Sequence, residues 1–147
     1  MTPATPGTYT IGFHGAYHLT LLGGHPNDRT QVVLLPPRDA EKEQHWQVEA
    51  RDDGAVTLEN VASGTYLGHD GDPAHLEIVH GHPQPHPWRL RPAPGRKGAF
   101  HLVLPGGPVD GTELAVDLHP LRLYPPLLGL LPLREADLGQ TWTLTPV

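Results

Sequence analysis

The chain has 147 residues, 16 acidic side chains against 10 lysines and arginines, a formal charge of −6 and no cysteine. That length closes a hydrophobic core without staples, and the missing thiols exclude disulfides, a cysteine nucleophile and a Cys-ligated zinc. The acidic balance argues against nucleic acid, whose phosphates are bound by clustered cations.

The sequence predicts one domain over 1–147. The opening, MTPATPGTYTIG, has neither a basic nor an apolar leader segment, so a cytoplasmic location is the expectation. In chain order, apolar residues alternate at Tyr9, Ile11 and Phe13; at Tyr17, Leu19 and Leu21; at Val56 and Leu58; at Leu76 and Ile78; at Phe100, Leu102 and Leu104; and at Leu114, Val116 and Leu118. Each set predicts a half-buried strand. With 17 glycines and 18 prolines in the chain, no window sustains a 3.6-residue period, so the fold class is all-β. Only Pro37 to Gln44, PRDAEKEQ, has helix-forming composition, and it is too short for more than a turn or two. The longest apolar tract, Leu123 to Leu133, is broken by three prolines and falls short of the ~20 residues that span a bilayer. It reads as core, with no membrane partner.

The three tryptophans expose an internal repeat. Each heads a Trp-x-aliphatic strand, at Trp46/Val48, Trp88/Leu90 and Trp142/Leu144. Upstream of each come two strands around a Gly-led turn, at Gly15, Gly64 and Gly111, and then a third strand: QVVLLPP, AHLEIVH and LLGLLPL. Four strands in three copies predict a twelve-stranded β-trefoil, with repeats at roughly 6–52, 53–94 and 95–147. The tryptophans are then equivalent core side chains, burying ~150–250 Å² each.

Gln44-x-Trp46 and Gln140-x-Trp142, altered to His86-x-Trp88 in the middle copy, resemble the signature of ricin-type lectins. That resemblance implies a sugar site of Asp117 and Gln140 with Tyr124 stacking on the ring. The chain lacks the Asn-Gln pair of such lectins, and the first copy has no matching Asp. More of the chain is similar to the disulfide-free β-trefoil serine protease inhibitors called mycospins, known from fungi and with bacterial relatives. The matching stretches are GTYTI, VVLLP, SGTYLG, LAVDL with LRLYPP, and QTWTLTP. This resemblance implies a monomeric inhibitor of a trypsin-like serine protease acting through the loop between the second and third strands. Here that loop is GGHPNDRTQ, with Asn27, Asp28, Arg29 and Thr30 as the reactive site and Arg29 as the residue entering the protease pocket. Carbohydrate binding is the alternative.

Other candidates have plainer explanations. Arg96 and Lys97, at an apparent hairpin tip, form a second protease-facing loop or a simple cleavage site. Arg122 falls in the corresponding loop of the third copy, beside Leu121, Leu123 and Tyr124, which read as packing residues. Asn60 presents an alternative protease loop or a turn. His80, His82 and His86 form the densest histidine cluster, but no carboxylate stands at a persuasive spacing, so no metal or other cofactor is expected. Ser63 lies in a turn without a nucleophile elbow, and Asp52/Asp53 and Asp70/Asp72 read as turn residues. No enzyme is expected.

Overall fold

A computed structural model describes residues 5–38, 41–70, 73–121 and 123–147. Twelve strands run in chain order: β1 Gly7–Phe13, β2 Tyr17–Leu21, β3 Val32–Leu35, β4 Trp46–Ala50, β5 Val56–Asn60, β6 Tyr66–Gly68, β7 His80–His82, β8 Arg89–Pro92, β9 Ala99–Val103, β10 Leu114–Leu118, β11 Leu128–Pro132 and β12 Trp142–Pro146. Three single 3₁₀ turns, Leu22–Gly24, Lys42–Gln44 and Leu138–Gln140, are the helical elements of the described residues. None is long and apolar enough to cross a membrane.

The first and fourth strands of each repeat close a ring. β1 pairs with β4 and β12, β4 with β5, and β9 with β8 and β12. The Val56–Trp88 bridge joins β5 to β8 through two backbone hydrogen bonds of 2.8 Å. The second and third strands form three hairpins, β2–β3, β6–β7 and β10–β11, that cap the ring. Six barrel strands with three hairpins make this chain a β-trefoil.

The tryptophans set the threefold relation. Trp46, Trp88 and Trp142 are fully buried, and each indole N–H donates to a second-strand carbonyl: Leu19 at 3.0 Å, Leu67 at 2.9 Å and Val116 at 3.0 Å. Burying an indole with its one donor paired avoids the desolvation penalty. These bonds make Leu19, Leu67 and Val116 equivalent, and therefore also Thr20, Gly68 and Asp117. The strand partners of the first set are Leu34, Gly81 and Leu130.

The structure differs from the sequence expectation in the second repeat. The third strand is His80–His82, not Leu76 to Ile78. Leu76 instead adopts φ 69° and joins the cap through its N–H to the Leu130 carbonyl. The Leu123–Leu133 tract also divides: Leu127, Leu128 and Leu130 are buried, whereas Leu123 and Tyr124, like Leu121 before them, are exposed, Tyr124 by 78%. Strand pairing pulls the later leucines inward and leaves the turn at the surface. Arg122 lies outside the described residues.

Candidate functional site

The corner around the third Gln-x-Trp joins Asp117, Arg134, Asp137 and Gln140 in one polar network. The 3₁₀ turn Leu138–Gln140 is capped by Asp137, whose side chain accepts from Gly139 N–H at 2.8 Å. That turn aims Gln140 inward. Its amide donates to Asp117 Oδ2 at 3.1 Å and to the Pro132 carbonyl at 2.9 Å, while its oxygen accepts from Arg134 N–H at 2.7 Å. Gln44 makes the same two backbone bonds in the first repeat, to the Pro36 carbonyl and from Arg38 N–H. Both glutamines are thus structural clamps that complete buried backbone hydrogen bonding.

The strand residue facing each clamp differs between repeats. Gln44 donates to Thr20 Oγ1 at 3.2 Å, and Gln140 to a carboxylate, Asp117. In the second repeat Gly68 leaves room for the His86 ring. Only the third corner therefore combines a strand carboxylate with a glutamine. Asp117 also accepts from Arg134 Nη2 at 3.0 Å and from Leu118 N–H at 2.6 Å. Arg134 Nε binds Asp137 Oδ2 at 2.9 Å, so its half-exposed guanidinium is gripped by two carboxylates through Nε and Nη2. The hydrogen bond with Asp137 holds Arg134 above its ordinary pKa. The reciprocal bond, with one from Gly139 N–H, holds Asp137 below the usual carboxylate range. Asp117 and Gln140, candidates on sequence, meet at this corner, together with Arg134 and Asp137, which the motif does not include. An Arg six residues ahead of each Gln, Arg38 and Arg134, was the available signal.

The other loops are placed as follows. Asn27 to Thr30 is a tight turn in which Thr30 Oγ1 donates to the Asn27 carbonyl at 2.7 Å. Arg29 sits at its bend with φ 66°, a left-handed conformation uncommon for a residue with a side chain. Its N–H donates to the Gly81 carbonyl, Gly81 N–H returns a bond to the Thr30 carbonyl, and its Nε lies 2.6 Å from Asp70 Oδ2. The resemblance to the inhibitors implies an exposed, protease-facing loop at this point. The actual turn has its peptide groups committed to the neighbouring repeat, because the three caps interlock at their tips. Equivalent bonds run from Leu76 to Leu130 and from Leu34 to Pro126.

Arg96 and Lys97 are exposed and form no ion pair among the described residues. Asn60 is buried and bonded to the Glu43 carbonyl and to Ala62 N–H. Ser63 Oγ is held by Thr65, as a turn requires, and Asp53 caps its own turn through Ala55 N–H. Asp72 lies outside the described residues. His86 packs edge-on between His69 and His82. Burial pushes His69 and His86 below the ordinary imidazole pKa.

No protein-family model matches the chain, and no curated protein matches it in sequence. Solved structures match its fold. The Macrolepiota procera ricin B-like lectin is 24% identical with TM-score 0.78, and 98% of each chain is covered. The Rhizoctonia solani agglutinin is 20% identical with TM-score 0.83, covering 98% of this chain and 97% of its own. The designed threefold-symmetric protein ThreeFoil is 17% identical with TM-score 0.79, over 96% and 99%. What this chain shares with them, at these identities, is the β-trefoil fold.

Proposed function

We propose that the protein is a carbohydrate-binding module whose sugar site lies at the third repeat. The carrying observation is the asymmetry among three equivalent corners: Thr20 and Gly68 stand where the third has Asp117, and only there does a strand carboxylate meet a glutamine clamp and an arginine. Sugar hydroxyls are recognised by few, fixed and convergent polar groups, acceptors beside donors. Asp117 is the acceptor and Arg134 Nη1 the donor. Gln140 and Asp137 hold both in place, which lowers the ordering cost of binding. Tyr124, exposed in the β10–β11 connection, is the aromatic surface available to a sugar face.

The solved neighbours support a sugar ligand over a protease: the Macrolepiota procera lectin is in complex with lactose, and a Polyporus squamosus lectin is bound to a sialylated epitope. The left-handed, internally bonded Arg29 supplies nothing comparable for protease inhibition. A glycan array tests the reading. Saturable binding by the wild type that is lost in Asp117→Ala supports it, and a blank array rejects it.

A further inference from the structure

The segment between β11 and β12 carries Arg134, Asp137 and Gln140, and it is fastened to the barrel by groups outside the sugar site. Phe100 and Leu102 on β9 belong to the core, so strand alternation points His101 to the opposite face. There it is 1% exposed, with Nε2 3.2 Å from the Glu135 carbonyl. A carbonyl only accepts, so Nε2 carries the hydrogen and Nδ1 of the neutral ring presents a lone pair. That Nδ1 is buried and has no hydrogen-bond partner among the described residues. Arg91, directly across from His101 on β8, holds Glu135 by its carboxylate: Nη1 lies 3.0 Å from Oε1, and Nη1 and Nη2 bind Glu113 at 3.1 and 3.0 Å. Glu135 is therefore held at both carbonyl and carboxylate, next to Arg134 in the chain. At the other end of the segment, His14 Nε2 donates to the Gly139 carbonyl at 2.7 Å.

These two histidines respond differently to a proton. The exposed His14 donates through Nε2 whether neutral or charged. In His101 a second proton would sit on Nδ1, buried and without an acceptor, and the charged ring would lose its hydration. The charged groups facing His101 are Arg91 on β8, Glu135 and Asp137 on the segment, and Asp117 on β10. Burial first, and then Arg91, holds the imidazole below its ordinary pKa, and the three carboxylates only partly offset them. Charging the ring therefore requires water at Nδ1. The element free to move is the irregular segment bonded to Nε2, since β9 is locked into the barrel between β8 and β12.

On the sugar reading above, we infer that His101 is a proton-sensitive positioning residue: neutral, it holds the Arg134–Gln140 segment in its binding geometry, and protonated, it releases that segment and with it the glycan. Because the released state takes up the proton near the ordinary imidazole value of about 6.5 and the held state only at lower pH, affinity falls as pH drops below about 6.5 and levels off below the held-state pKa.

Two measurements on the full chain separate this hold from the sugar reading. In the first, calorimetry gives the affinity for a glycan retained on the array at pH 7.5 and 5.0. The wild type weakens by about three- to tenfold over that range, as one coupled proton allows. His101→Gln keeps an amide donor for the Glu135 carbonyl but takes up no proton, so its ratio of affinities between the two pH values is close to one. His14→Gln keeps the wild-type ratio. In the second, amide NMR of the glycan-free protein over the same range follows the segment itself. Arg134, Glu135, Asp137, Gly139 and Gln140 shift together with the titration of the His101 ring in the wild type and stay fixed in His101→Gln. If His101→Gln fails to fold, coincidence of ring and segment titration in the wild type decides. A blank array removes the sugar reading, and the NMR titration still decides the proton-sensitive hold. An equal loss of affinity in wild type and His101→Gln, or a segment that stays fixed while the His101 ring titrates, overturns the proposal.

Discussion

Gly68 and His86 share one space: a Cβ at Gly68 would stand 2.7 Å from His86 Nδ1 and 3.1 Å from His82 Cβ. The pair replaces Thr20–Gln44 of the first repeat and Asp117–Gln140 of the third. Gly68→Ala is therefore expected to destabilise the fold by about 1–3 kcal/mol through overpacking. Adding His86→Ala should recover most of that loss. Urea unfolding of the single and double variants checks both, and a neutral single variant contradicts the shared-space account.

Trp142→Ala removes a fully buried indole and leaves the Val116 carbonyl without its donor. The expected cost is about 3–5 kcal/mol. Threefold equivalence predicts similar costs for Trp46→Ala and Trp88→Ala. Equilibrium unfolding measures all three, and a cost under about 0.5 kcal/mol at any of them would place that tryptophan outside a common core layer.

Limited trypsin digestion separates the two basic loops. Cleavage needs an extended segment that local opening releases, and Arg29 is held at positive φ with its N–H on Gly81. Arg96 and Lys97 are exposed and without an ion pair among the described residues. The first cut is expected after Arg96 or Lys97, read by mass spectrometry. Stoichiometric trypsin inhibition lost in Arg29→Ala would revive the inhibitor reading.

His101 on β9 is buried, with Nε2 at the Glu135 carbonyl at 3.2 Å and Nδ1 unpaired. Burial, with the nearby Arg91 charge, pushes its pKa below the ordinary value. The unfolded chain, at about 6.5, then binds the proton first, so stability falls as pH drops below that value. The loss levels off below the folded-state pKa. His101→Gln should make the decline between pH 7 and 5 shallower, and thermal melts across that range check it. An unchanged slope would mean that His101 titrates alike in both states.

The fold was legible because three tryptophans and three Gly-led turns repeat in order. The second repeat was misread at its third strand because Gly81 occupies the position of Leu34 and Leu130, leaving no apolar signal. Leu76 and Ile78, which carry that signal, lie in the cap. Asp117 and Gln140 were found from a motif, but Arg134 was not, since its role depends on the turn that bends it back. The Asp28, Arg29 and Asp70 contacts join two repeats through interlocked loop tips. Local sequence patterns record pairing within a repeat and carry no such information.

The most direct measurement is a two-dimensional amide NMR titration of isotope-labelled protein with a glycan retained on the array. The account predicts saturable shifts centred on Asp117, Leu118, Arg134, Gly139 and Gln140. The equivalent residues Thr20, Gln44, Gly68 and His86 should stay unmoved, and the shifts should vanish in Asp117→Ala. Retention of no glycan, or shifts centred on either of the other corners, would contradict it.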